Sequence, residues 1–262
     1  MSESAAYALV TGASSGIGLA ISKELAGRGY SLLMVSNEEE NLNRAAAEIQ
    51  DAFHVNTAPL YMDLAEIGAA QKLYDYCAAN NISVEILINN AGIFFFKDIV
   101  ETSPQRIEMI INLHIHTPAM LCRLFAEQMI RENRKGYILN ISSIASQMMM
   151  PGITMYSSTK SFLRCFSRSM RNEVFDHGVG ITTICPGAAA TGLYNLSPRY
   201  IKLGISLGVI IPPERLARIA VKKMFQRKAE VIPGGFINRL FIFLVNAIPE
   251  VLVRRIKKCI RH

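Results

Sequence analysis

The sequence predicts a single α/β domain. Three observations carry that expectation. The chain has 262 residues, 50% of them apolar and 19% charged, enough for one large core and unlike a disordered chain. Short apolar runs alternate with amphipathic ones along most of its length. The first apolar run, residues 7–10, opens directly into Thr11-Gly12-Ala13-Ser14-Ser15-Gly16-Ile17-Gly18, after which Leu19, Ile21, Leu25 and Ala26 follow helical spacing.

That first unit has a chemical purpose. Gly12 permits a tight turn, Gly16 lets backbone approach a pyrophosphate, and Gly18 lets the helix pack against the strand. The helix N-terminus then offers unpaired N–H groups and a positive dipole end, to which Ser14 and Ser15 add hydroxyls. Glycines placed between strand and helix read as a phosphate cradle rather than as a plain turn.

The second strand, residues 31–35, ends in Ser36 and Asn37, followed by Glu38, Glu39 and Glu40. Neither an acid for an adenosine ribose nor an arginine for a 2′-phosphate closes it. Small polar groups leave room for a phosphate, so NADP is the expected dinucleotide and NAD the alternative, with Glu38 weighing against NADP. The glutamates favour the start of the next helix, whose apolar positions include Leu42, Ala45, Ala46 and Ile49. A third strand over 59–62 ends at Asp63-Leu64, where Asp63 either accepts from adenine or caps the following helix, which runs through Leu73, Tyr74 and Cys77. The buried run 86–88 ends in Asn89-Asn90-Ala91-Gly92, a turn by composition but placed where a strand stops beside a cofactor. From Pro104 one long helical pattern continues through Ile107, Ile110, Ile111, Leu113 and Leu121, with Asn112 polar among apolar neighbours. His114 and His116 have no metal-ligand partner and read as packing or surface residues; no metal site is expected.

The reactive chemistry lies further on. Residues 137–141 read as a buried strand ending in Ser142-Ser143, and Tyr156-Ser157-Ser158-Thr159-Lys160 follows. On a helix, Tyr156 and Lys160 are one turn apart, about 6 Å of rise, on one face. An ammonium held beside a phenol favours the phenolate. Free tyrosine titrates near pH ~10, and lowering that by about 3 units takes roughly 4 kcal/mol, which a fixed cation in a dry cleft supplies. The spacing alone is common; the glycine turn upstream gives it meaning.

With these pieces in place, the sequence resembles a short-chain dehydrogenase/reductase from about residue 7 to about residue 234. The glycine turn, Asp63, Asn89-Asn90-Ala91-Gly92, Asn112, Ser143, the Tyr156–Lys160 run, and Pro186-Gly187 with Thr191 occur in that family's order. The resemblance implies a doubly wound Rossmann fold with a seven-stranded parallel sheet, strands beginning near Tyr7, Ser31, Pro59, Ile86, Gly136, Gly180 and Glu230. It implies NAD(P)-dependent hydride transfer between an alcohol and a carbonyl. Tyr156 would be the general acid/base. Lys160 would lower its pKa and bind the nicotinamide ribose. Ser143 would orient the substrate oxygen, and Asn112 would hold a water linking Lys160 to solvent. Asn90, Ala91 and Gly92 would pack against the adenosine side, and Pro186, Gly187 and Thr191 would contact the nicotinamide end. Asn37, Asp63 and Leu64 complete the expected cofactor contacts. Ala188, Ala189 and Ala190 would widen the local pocket. The Tyr156 helix would join a homodimer or homotetramer interface.

Two stretches should shape the substrate pocket: the methionine-rich residues 146–151 and an apolar lid over about 191–213. They point to a hydrophobic ketone, such as a 3-oxoacyl chain, a steroid-like ring system or another lipid. Beyond this 1–235 domain, residues 236–262 form a basic amphipathic extension, with Arg254, Arg255, Lys257, Lys258 and Arg261 near its end and a chain net charge of +7. It reads as a flap over the substrate site or a subunit contact, and otherwise as peripheral contact with an anionic membrane surface. Nucleic acid is excluded as a partner, because the basic cluster is short and lacks stacking aromatics. The N-terminus has no signal-peptide pattern, and Cys77, Cys122, Cys165, Cys185 and Cys259 lack redox spacing, which reads as buried, reduced thiols in a cytoplasmic protein, membrane-peripheral if the tail binds lipid. The rival readings are a non-catalytic dinucleotide-sensing Rossmann protein, against which the intact Ser143, Tyr156 and Lys160 set argues, and a dehydratase or epimerase on the same scaffold.

Overall fold

The computed structural model describes residues 6–190, 210–249 and 251–253. Seven parallel strands form the main sheet in the order β3-β2-β1-β4-β5-β6-β9: β1 (Tyr7–Thr11), β2 (Ser31–Ser36), β3 (Thr57–Tyr61), β4 (Val84–Asn89), β5 (Gly136–Ile141), β6 (Val179–Ile184) and β9 (Glu230–Val231). Their starts agree with the expected positions to within two residues. β7 (Ala188–Ala189) and β8 (Ile210–Ile211) make a separate short parallel pair.

Alternation along each strand builds two cores. Ala8, Val10, Leu32, Met34, Ile86 and Ile88 face one side, against α1 (Gly16–Ala26), α2 (Glu39–Phe53) and α7 (Pro213–Phe225). Leu9, Leu33, Val35, Leu87 and Ile138 face the other, against α3 (Ala69–Ala79), α5 (Thr117–Arg131) and α6 (Thr154–Val174). Burial on both faces is why these strands read as continuous apolar runs. The order reverses between β1 and β4, so a crevice opens at their carboxyl ends.

Three features depart from expectation. The helix from Pro104 is not uniform: α4 (Pro104–Ile111) passes through a π turn, Asn112–His116, into α5. Pro118 has no amide and its ring crowds the carbonyl four residues back, so the ladder opens by one residue and the Thr117 N–H bonds the Asn112 carbonyl instead. Ala188 and Ala189 form a strand rather than only widening a pocket, and the Ala190 N–H donates to the Ile211 carbonyl. Cys165 is exposed on α6, whereas Cys77, Cys122 and Cys185 are buried. Thr191, residues 191–209 of the expected lid, Cys259 and the basic cluster lie outside the described residues.

Candidate active site

The crevice between β1 and β4 holds a cleft of about 430 Å³. Gly12, Ser14, Ser15, Gly16 and Ile17 form one end of its wall, Asn37, Asp63, Leu64, Asn90, Ala91 and Gly92 the middle, and Tyr156, Lys160, Pro186 and Gly187 the other end. Gly18, Asn112 and Ser143 lie behind or beside that wall.

The glycine turn is shaped by what it cannot carry. Gly12 and Gly16 have φ of 64° and 56°, the left-handed region. A Cβ on Gly18 would stand 2.0 Å from the Gly12 carbonyl oxygen, and one on Gly12 would stand 2.9 Å from the Ala91 Cα. The bare backbone lets α1 start against the loop, with Ser15 at its N-cap and no side-chain cap bond closing off its first amides. Thr11 ties this turn to the next strand. Its hydroxyl donates to the Ile88 carbonyl and accepts the Asn90 and Ala91 amides at 2.9 and 3.1 Å. The Asn90 amide group donates to the Thr11 and Gly12 carbonyls. Asn90 therefore holds the cradle together as well as lining the cleft.

At the β2 end the hydroxyls are already engaged. Ser36 Oγ donates to Ser14 Oγ, and Ser14 Oγ donates to Glu38 Oε2 at 3.0 Å. Asn41 also donates to that carboxylate. Glu38, expected mainly to favour α2, instead brings a negative charge to the glycine turn. Asp63 Oδ1 accepts the Ala65 N–H at 2.9 Å, so it caps the turn after β3 while lining the cleft; α3 begins only at Ala69.

At the other end, Tyr156 and Lys160 stand one turn apart at the start of α6, each 5% exposed. Lys160 Nζ lies 5.9 Å from the Tyr156 ring centroid and donates to the Ile141 carbonyl at 2.9 Å. Burial pushes the Lys160 ammonium down to about 8. The Phe94 ring meets the Tyr156 ring edge-on at 5.1 Å. Ser142 donates to the Lys160 carbonyl, pinning α6 to the end of β5. Ser143 Oγ accepts the Ala145 N–H at 3.1 Å, which orients the hydroxyl. The Asn112 amide group donates to the Ala65 carbonyl. Sequence reasoning missed Thr11, Ser142 and the buried His114; a polar residue on a buried helix stripe, Ile110–His114–Thr117–Leu121, was the available signal for the last.

These residues fit a dinucleotide. The wall lacks side chains where a Cβ would collide, the first residues of α1 line the cleft at one end with no side-chain cap, and a buried cation stands at the other. A bound nicotinamide would supply the hydride. Tyr156 is placed to exchange a proton, Lys160 to hold positive charge beside it, and Ser143 to position an oxygen.

Comparison with known proteins agrees with this geometry. Residues 6–199 match the profile described as short chain dehydrogenase. A very-long-chain 3-oxoacyl-CoA reductase of Anas platyrhynchos is 31% identical over 98% of this chain and 81% of its own length. The mouse and human proteins of the same name are matched over 60% of theirs. An oxidoreductase of Bacillus subtilis, YmfI, is 30% identical over 88% of this chain and 96% of its own. Among solved structures, a metagenomic short-chain oxidoreductase in complex with NADP has 27% identity and a TM-score of 0.72, covering 87% of this chain and 95% of that one.

Proposed function

Because the chain belongs to the short-chain dehydrogenase/reductase family, as an oxidoreductase of the alcohol/carbonyl couple, we propose that it reduces a hydrophobic ketone with NADPH. The observation that carries the reading is the Tyr156–Lys160 pair on one turn of α6, with an apolar surround at the substrate end. Phe94 packs on Tyr156, Met148 is buried, and Phe96 and Met149 stand exposed at the rim. The duck relative is named for reduction of a 3-oxoacyl thioester, which is this kind of substrate.

In reduction, Tyr156 gives its phenolic proton to the substrate oxygen while the carbonyl carbon receives hydride. Ser143 donates to that oxygen and holds it in place. Lys160 keeps the resulting phenolate beside a positive charge, and it would hold the ribose of a bound dinucleotide. The solved NADP complex and the small polar end of β2 support NADP over NAD. The test is a turnover panel. Apolar 3-oxoacyl and steroid-like ketones should outpace small sugars and polyols, and the reverse order rejects the substrate class. Tyr156→Phe should keep NADPH affinity within a fewfold and lower kcat by about a thousandfold or more.

The extension supports the same reading. Its first helix, α8 (Gly235–Asn246), lies against residues Ile144–Gln147, just beyond Ser143, and Asn246 donates to the Gln147 carbonyl at 2.7 Å. We read α8 as a flap on the substrate end. The outward side of α8, with Phe243 68% exposed, is left for a membrane surface or a second subunit. A cytoplasmic, membrane-peripheral homo-oligomer is the state consistent with both.

A further inference from the structure

Next to Tyr156 and Lys160 lies an imidazole that plays no part in the proton transfer described above. His114, in the π turn between α4 and α5, is 1% exposed. Its Nε2 is 3.0 Å from the Ile93 backbone nitrogen. A backbone N–H only donates, so Nε2 carries the lone pair. Its Nδ1 is 3.0 Å from Thr159 Oγ1. Burial first, and the Lys160 charge second, hold this histidine well below its usual 6.5, so the ring is neutral. A neutral ring that accepts at Nε2 has its proton on Nδ1 and donates it to Thr159 Oγ1. The Thr159 hydroxyl then donates to the Tyr156 carbonyl at 3.0 Å. Every bond in the chain Ile93–His114–Thr159–Tyr156 therefore has one direction.

The imidazole also touches the reactive groups sideways. Its ring centroid is 5.9 Å from that of Tyr156, at 72° between planes. A Cβ on Gly92 would lie 2.9 Å from His114 Nε2 and 3.6 Å from Lys160 Nζ, so the loop after β4 is pressed against both. One side chain thus joins the loop that floors the cleft, the π turn and the first turn of α6.

We propose that His114 is a positioning residue for proton transfer: a neutral strut of fixed tautomer, bonded to Ile93 and Thr159, that sets where Tyr156 and Lys160 stand over the cleft. An apolar residue of similar size fills the space but drops both bonds, leaving the half-buried Ile93 N–H without its acceptor and α6 free to shift. Proton transfer is sensitive to small displacements, whereas dinucleotide affinity depends mostly on the distant glycine turn. The proposal rests on Tyr156 as the proton donor. Tyr156→Phe tests that premise by itself, without disturbing His114.

The experiment separates the two bonds. Thr159→Val and His114→Gln both break the link to α6, the second keeping an acceptor near Ile93. Each should lower kcat about tenfold while KM for NADPH stays within about twofold. The double variant should be no worse than either single one, because both cut the same chain. Thr159→Ser should restore kcat. Nitrogen-15 spectra of histidine-labelled protein should show His114 neutral with its proton on Nδ1. A Thr159→Val enzyme within twofold of the parent, a loss that Thr159→Ser fails to restore, or a proton found on Nε2 overturns the proposal.

Discussion

Burying Lys160 works against folding. Its folded value of about 8 lies below the 10.5 of an unperturbed lysine. Between those values the unfolded chain still holds a proton that the folded one has released, so stability rises with pH through that window. Below about 8 both states are protonated and the cost is present in full, about 3 kcal/mol net of the hydrogen bond to Ile141. Lys160→Met should therefore raise stability at neutral pH by about 3 kcal/mol, with the gain gone above about pH 10.5, while reduction is lost. Urea melts at the two pH values check this, and a methionine variant no more stable at neutral pH removes the account. At this scale the Tyr156 and Lys160 pair was legible, because one helical turn relates them. His114 was not, because its meaning depends on an amide 21 residues away and a hydroxyl 45 residues away.

Among elements, the junction of β2 and α2 brings a carboxylate to the glycine turn. Glu38 stands at the start of α2 and is held to the glycine turn by Ser14. Its carboxylate adds negative charge to the end of the cleft where Ser36 and Asn37 leave space. Glu38→Gln keeps the bond to Ser14 and removes the charge, which is worth about 1 kcal/mol toward a phosphate dianion at this depth. The ratio of kcat/KM for NADPH over NADH should rise roughly fivefold, and a ratio that stays level excludes Glu38 from cofactor discrimination. Three glutamates in a row announced a helix start but concealed this contact, since a glutamate at a helix start looks the same in sequence whether or not it also reaches the glycine turn. The π turn was concealed likewise: Pro118 is plain in the sequence, but apolar periodicity continues across it. The bidentate Arg164–Glu230 pair, at 2.9 and 3.0 Å, fastens the last strand, β9, to the same helix that carries Tyr156.

For the whole molecule, the seven-stranded sheet places the reactive groups at the carboxyl ends of its strands, and α8 lies against residues Ile144–Gln147, just beyond Ser143. α8 buries Ile242 and leaves Leu240, Phe241, Phe243 and Leu244 exposed. No helix among the described residues is long and apolar enough to cross a membrane. A protein ending after Gly235 should bind NADPH as before, with KM for apolar ketones raised about tenfold or more, the outcome expected of α8 as the proposed flap. The intact protein should cosediment with anionic vesicles in a salt-dependent way and the shortened one should not. If the intact protein stays in solution, the membrane contact is rejected.

The sequence by itself determined the order of strands and helices, the phosphate cradle and the proton-transfer pair. Each of those is written within a few neighbouring residues, where glycine conformation, helical spacing and strand alternation act directly. Only the tertiary structure decided that Asn90 clasps the glycine turn, that Glu38 reaches Ser14, that His114 braces the first turn of α6, and that α8 lies beside Gln147. Those contacts join segments 20 to 100 residues apart. They exist because packing two helical layers onto one sheet brings distant polar groups together out of water, where each must find a partner.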